Sequence, residues 1–138
     1  MMTETEVILK FAYKMRDAGS LTSDVDIELP GGAWEGSRDR GNGGDIRTNL
    51  MSPIEAKGEF SEAKKDYNKK GKNVGIQNYL YAVKGRSELA KQKLFWKKDT
   101  SAKHVIVYVE KEDDFVLLAS ENHEKIRKLL GEGIEIFR

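Results

Sequence analysis

The feature that most constrains this chain is the stretch Gly43-Gly44-Asp45-Ile46-Arg47 followed by Pro53-Ile54-Glu55-Ala56-Lys57-Gly58. It reads as two short strands joined by a turn, with Asp45 opening the first and Glu55-x-Lys57 on the second. Side chains alternate across a strand, so Glu55 and Lys57 point to one side while Ile54 and Ala56 point to the other. Two residues span about 6.6 Å of strand, near enough for both heads to act on one reacting group. A turn that brings Asp45 alongside gathers two carboxylates and an ammonium at one spot, with apolar residues behind. Carboxylates suit a hard divalent ion such as Mg²⁺, which takes oxygen ligands and retains several waters. Such an ion stabilises charge on a phosphoryl oxygen and lowers the pKa of a bound water, and Lys57 would orient that water or offset the developing charge. The pattern implies, in outline, a hydrolytic phosphodiester site.

A chain that is 34% charged produces Glu-x-Lys by chance, and a second copy occurs at Glu62-Ala63-Lys64. That copy sits in the polar run from Ser61 to Lys72, without apolar alternation, and reads as a solvated helix or loop. The first copy differs in having apolar residues on alternate positions and an acidic residue at the head of a preceding strand. The plain structural reading of Glu55 and Lys57 is a surface cross-strand pair.

Along the chain, Thr3-Glu4-Thr5-Glu6 has the form of a capping box, with Thr3 at the N-cap and Glu6 three residues on. Val7, Ile8, Phe11, Ala12 and Met15 follow at helical spacing, and Gly19 ends the helix. The centre of that apolar stripe falls over Glu4, which therefore faces whatever the helix packs on, while Glu6 serves as a cap. Val25-Asp26-Ile27-Glu28-Leu29 alternates strictly and reads as a half-buried strand closed by Pro30-Gly31-Gly32. Trp34, Arg38 and Arg40 follow in a Gly-rich loop suited to contacting DNA. Gly41-Asn42-Gly43-Gly44 lacks the Gly-Lys-Ser/Thr ending of a P-loop and reads as a tight turn.

The segment over 58–73 is dense in lysine, including Lys64, Lys65, Lys69 and Lys70. It is either a basic lobe over the site or a solvated linker. Apolar spacing then predicts a helix over about 74–93. Ile76, Tyr79, Leu80, Val83, Ala90 and Leu94 would share one face, and Gln77, Tyr81, Lys84 and Glu88 an adjacent strip. The run from His104 to Val109 is continuously apolar, as expected of a central strand covered on both faces, with His104 structural. Phe115 to Ala119 reads as another strand. Ser120 is expected to cap a short helix with Ile126, Leu129 and Leu130 inward and Gly131 at its end, and residues 134–137 an edge strand.

Length and composition set outer bounds. At 138 residues the chain is expected to be one domain with a real core. No apolar run approaches the ~20 residues of a membrane helix. The opening segment is interrupted by Glu4, Glu6, Lys10 and Lys14, so no signal peptide is expected. The absence of cysteine excludes disulfides and thiolate zinc sites, and His104 and His123 are too far apart for a histidine metal motif. Net charge is only +1, but basic residues outnumber Glu88 and Asp99 between Lys84 and Lys103, whereas acidic ones dominate from Glu110 to Glu124. One region could track phosphates while the other stays solvated.

Gly44-Asp45 followed by Glu55-Ala56-Lys57 resembles the signature of the PD-(D/E)xK nuclease superfamily, with glycine in place of the proline. The wider context is similar to the archaeal and phage Holliday-junction resolvase branch. The motif covers about a tenth of the chain, and the element order extends the similarity to nearly all of it. The resemblance implies an α/β fold: a restriction-endonuclease-like α-β-β-β-α-β core, its mixed sheet flanked by helices, with a C-terminal strand-helix extension. It implies an intracellular, cytoplasmic Mg²⁺- or Mn²⁺-dependent DNA endonuclease acting as a homodimer, with the metal at Asp45, Glu55 and Ala56. Glu4 would join Asp45, Glu55 and Lys57 in catalysis, with Glu6 in reserve. Gln77-x-x-x-Tyr81 is similar to a motif that follows the Glu-x-Lys strand in several branches, which makes Gln77 a catalytic candidate. DNA contacts would fall to Arg38, Arg40, Arg47, Lys64, Lys65, Tyr81 and Lys84. The alternatives are a sequence-specific homing, restriction-type or repair endonuclease, or a non-catalytic DNA-binding module of the same fold.

Overall fold

A computed structural model describes residues 1–29, 44–71 and 78–138. The chain is α/β: seven strands form one mixed sheet whose spatial order follows the sequence. The strands are β1 (Asp26–Ile27), β2 (Ile46–Arg47), β3 (Ile54–Ala56), β4 (Asn78–Val83), β5 (His104–Val109), β6 (Asp114–Ser120) and β7 (Glu135–Ile136). Strands β1, β2 and β3 are antiparallel neighbours; β3, β4 and β5 are parallel. Strand β6 returns antiparallel to β5, and β7 lies parallel to β6 at the edge.

The helices are α1 (Glu4–Asp17), α2 (Phe60–Asp66), α3 (Leu89–Asp99) and α4 (His123–Leu130). Helix α2 runs on into a π-turn, Tyr67–Gly71. Parallel crossovers are right-handed, so stepping from β3 to β4 to β5 puts both connecting helices, α2 and α3, on one face. Strand β6 runs the other way, and the same hand carries α4 to the opposite face. The core divides accordingly. Ile54, Ala56, Leu80 and Ile106 pack with α1 and α4, while Tyr79, Tyr81, Val105 and Val107 pack with α2 and α3.

Helix α1 forms as its sequence requires. The Glu6 N–H donates to Thr3 Oγ1 at 3.2 Å, and the Thr3 N–H donates to Glu6 Oε1 at 3.0 Å, closing the capping box. Val7, Ile8, Phe11 and Met15 are fully buried, each contributing about 1.5–3 kcal/mol of transfer free energy. Gly19 stops the helix in a left-handed conformation, φ +77°.

The helix expected over 74–93 is not there. Asn78–Val83 is instead a central strand, β4, and the helix α3 begins only at Leu89. All six β4 residues are buried, because a parallel strand covered on both faces loses its polar-apolar alternation. A short run of that kind cannot be told from a buried helix by periodicity alone. Leu94, expected inward, is 62% exposed. Helix α4 is capped by Asn122, whose side chain accepts the Glu124 N–H at 3.1 Å, and not by Ser120. Ser120 lies on β6 and meets His104 Nδ1 at 2.9 Å. His104 is buried, as a structural residue would be. No helix among the described residues is long and apolar enough to cross a membrane.

Candidate active site

Four elements converge at the end of β3: the start of β2, β3 itself, the first turn of α1 and the last turn of α2. Gly44 makes the first convergence possible. Its φ is +63°, and a Cβ there would lie 2.7 Å from the Pro53 Cβ, so the turn before Asp45 needs glycine. Asp45 then clasps β3 twice. Its N–H donates to the Ile54 carbonyl at 2.9 Å, and its carboxylate Oδ2 accepts the Ala56 N–H at 2.9 Å. The N–H and C=O of one strand residue point to the same side, so the Ala56 carbonyl also opens toward Asp45.

Glu55 projects to the opposite face of β3 from Ile54 and Ala56, onto the side of α2. Lys57 follows just past the strand end. Its Nζ lies 3.8 Å from Glu55 Oε2 and 3.6 Å from Asp66 Oδ1. The side chains of Glu55, Lys57 and Asp66 are 14%, 22% and 6% exposed, which makes this a sunken cluster and not a surface cross-strand pair. Glu4 arrives from α1 because Gly58 lets the helix start press against the strand end. A Cβ on Gly58 would lie 2.5 Å from the Met2 carbonyl oxygen.

The electrostatics follow from four carboxyl groups, those of Glu4, Asp45, Glu55 and Asp66, around the Lys57 ammonium. Burial and the neighbouring Asp45 push the Glu4 carboxyl up to about 7 despite Lys57 nearby. Burial pushes Glu55 further upward, reinforced by a hydrogen bond and charge repulsion from Asp45. Burial opposes the charge on Lys57, but Glu55, Asp66, Glu4 and Asp45 together outweigh it and raise its pKa. A cluster that crowds acids in this way attracts a cation.

Among the described residues no group of three or more His, Cys, Asp or Glu side chains could hold a metal ion. Mg²⁺ asks for less: one or two carboxylates, with water and substrate oxygens completing its shell. Asp45, Glu55 and the Ala56 carbonyl fit that requirement, because the two carboxyls are close enough to hydrogen-bond each other.

The expected site residues fall into three groups. Glu4, Asp45, Glu55, Ala56 and Lys57 come together, while Glu6 stays in its capping box. Arg38, Arg40 and Gln77 lie outside the described residues. The remaining DNA-contact candidates scatter. Arg47 pairs with Asp26 at 3.2 Å. Lys64 and Lys65 are exposed on α2, with Lys64 Nζ 5.2 Å from the Phe95 ring centroid. Lys84 is exposed just beyond β4. In the basic region beyond it, Arg86 is held by Glu112 and Glu135, both at 2.5 Å.

Tyr81 requires a correction. It is fully buried on β4, donating to Gln92 Oε1 at 2.8 Å and accepting the Trp96 indole N–H at 3.2 Å, so its hydroxyl is committed to the core. The helical strip that joined it to Lys84 and Glu88 does not exist, since Tyr81 and Lys84 belong to a strand and its exit.

Sequence reasoning missed Asp66 and Tyr79. Asp66 lies in the run read as solvated, yet α2 turns it inward, where it accepts the Tyr79 hydroxyl at 3.2 Å. The available signal was Ala63, Asp66 and Tyr67 at helical spacing behind Phe60, all three buried in the fold. Among known proteins, no family model matches the chain, and neither a curated protein nor a solved structure matches it.

Proposed function

We propose that this chain is a metal-dependent DNA endonuclease of the PD-(D/E)xK type, with a restriction-endonuclease-like core and a preference for branched DNA of the Holliday-junction kind. The observation that carries the reading is the half-buried Asp45–Glu55–Lys57 cluster with Asp45 fastened to the Ala56 N–H. The order α1-β1-β2-β3-α2-β4 supports it as well. Asp45, Glu55 and the Ala56 carbonyl would hold Mg²⁺ or Mn²⁺. The ion supplies charge stabilisation at a phosphoryl oxygen and a more acidic water.

The chain's own groups do the rest. Lys57 presents an ammonium that donates hydrogen bonds to a non-bridging phosphoryl oxygen or to the attacking water, offsetting charge as the P–O bond breaks. The half-buried Glu4 orients water from the α1 side. Apolar Ile54 and Ala56 form the wall behind the cluster and exclude bulk solvent, which strengthens each of these interactions.

A junction has two equivalent strands to cut, so a homodimer with two-fold symmetry is the matching assembly. Recognition would then run through shape and phosphates, using Lys64, Lys65 and Lys84 together with Arg38 and Arg40. Competition tests the substrate class: cleavage of a four-way junction should survive a large excess of linear duplex of the same sequence. A linear sequence that competes as well as the junction would replace the junction reading with a site-specific endonuclease.

A further inference from the structure

We propose that Asp66 is a positioning residue: it anchors the Lys57 ammonium over the site and is itself locked to the core through the Tyr79 hydroxyl. The proposal rests on the nuclease reading for its consequence in catalysis, but the anchoring itself belongs to the folded protein.

Two distances state the problem that Asp66 solves. Lys57 Nζ sits between two carboxylates, 3.8 Å from Glu55 Oε2 and 3.6 Å from Asp66 Oδ1. A divalent ion at Asp45 and Glu55 would draw on the same Glu55 oxygens and repel the ammonium. A lysine on a flexible four-carbon stem then needs a second anion to keep its place. Asp66 provides one from a different element, α2, that takes no part in the Asp45–Ala56 clasp. Glu55 is thereby left available to the ion.

Asp66 is also held at both carboxylate oxygens. Its side chain is 6% exposed, and burying a carboxylate without partners costs several kcal/mol. Its Oδ1 faces Lys57 and its Oδ2 accepts the Tyr79 hydroxyl at 3.2 Å. Tyr79 lies on β4 directly opposite Glu55 in the parallel register. Its ring stacks on Trp96 at 5.1 Å between centroids, with 29° between planes, and Trp96 is itself buried. The path from Lys57 through Asp66 and Tyr79 to Trp96 ties the ammonium to the buried aromatic layer between the sheet and its helices. Placement to within a fraction of an ångström is what such a group needs, since small misplacements cost rate steeply.

The test uses the full chain and two readouts. The first needs neither metal nor DNA: the NMR signal of the Lys57 ammonium, identified by its loss in Lys57→Arg. An anchored ammonium exchanges slowly and gives a resolved signal, which Asp66→Asn should abolish and Tyr79→Phe should broaden. The second is cleavage in Mg²⁺. Asp66→Asn should lower kcat by 30-fold or more, and Tyr79→Phe by about 3- to 10-fold, with KM for DNA within threefold of wild type in both. A purely packing role would lower the melting temperature and leave kcat alone. Where Asp66→Asn does not fold, Tyr79→Phe carries both readouts. An unchanged Lys57 signal in the folded variants overturns the proposal whatever the cleavage assay gives. Loss of that signal in a protein whose wild type cuts no DNA overturns the nuclease reading and leaves the anchoring standing.

Discussion

The Asp45 carboxylate accepts the Ala56 N–H at 2.9 Å, so a side chain at the head of β2 completes the hydrogen bonding of β3 where the backbone ladder has ended. One group thus serves the fold and the site together. Asp45→Ala leaves a buried N–H without its partner and should cost about 1–3 kcal/mol in urea unfolding, besides removing cleavage. Glu55→Gln should separate the two effects, removing cleavage while raising metal-free stability at pH 8, because the amide needs no proton whereas the raised Glu55 carboxyl must take one up on folding. Equal destabilisation by both variants would refute the division of roles.

The raised Glu4 and Glu55 carboxyls set a pH dependence whose sign is fixed. Both groups hold a proton in the fold at pH values where the unfolded chain has lost it. Stability is therefore full below about pH 4.5 for these two groups and falls as pH rises through about 7, where Glu4 ionises. Without a divalent ion, the melting temperature should drop from pH 5.5 to pH 8, and Glu4→Gln should recover about 1–2 kcal/mol of that loss after allowance for solvent screening. Mg²⁺ should raise the melting temperature more at pH 8 than at pH 5.5, since ionised carboxylates hold it better. Calorimetric scans at the two pH values, with and without Mg²⁺, check both statements.

His104 acts in the opposite direction. Burial lowers its pKa to about 4, so the fold keeps the ring neutral while the unfolded chain protonates it near 6.5. Its contribution is present above about pH 6.5 and is lost on acidification toward pH 4, amounting to at most about 3 kcal/mol. His104→Gln should flatten the acid side of the stability profile while lowering stability at pH 7.5. Retention of the full acid slope would assign it to other groups.

Gly58→Ala tests how Glu4 reaches the site. The added Cβ would meet the Met2 carbonyl at 2.5 Å, a backbone atom that cannot swing aside. The first turn of α1 must shift, taking Glu4 away from Lys57. Cleavage should fall by tenfold or more while stability drops by only about 1–3 kcal/mol, as for overpacking elsewhere. Unaltered cleavage would mean that Glu4 contributes nothing.

What the sequence revealed followed from local rules. The capping box at Thr3 and Glu6, the inward stripe of α1 and the central strand β5 each follow from spacing over a few residues. The placement of Glu4 also followed, because the centre of an amphipathic stripe fixes its angle. Strand β4 was hidden, since Tyr79 to Val83 is buried on both faces and shows no period to read. Asp66 was hidden for a related reason: among Lys64, Lys65 and Lys69, its helical spacing behind Phe60 is only a faint local mark of the acid that turns inward. That depends on where α2 packs, with Ala63 and Tyr67 against β4.

The measurement closest to the central claim is Mg²⁺-dependent cleavage of a four-way junction by wild type, Asp45→Ala and Glu55→Gln, with binding followed in parallel in Ca²⁺. Wild type should cut in Mg²⁺ and bind without appreciable cutting in Ca²⁺, whose looser coordination positions water poorly. Both variants should bind the junction within a few-fold of wild type and lose cleavage by a factor of 100 or more. Cleavage by either variant at near the wild-type rate, or no cleavage of any DNA by a folded wild type in Mg²⁺ or Mn²⁺, contradicts the assignment.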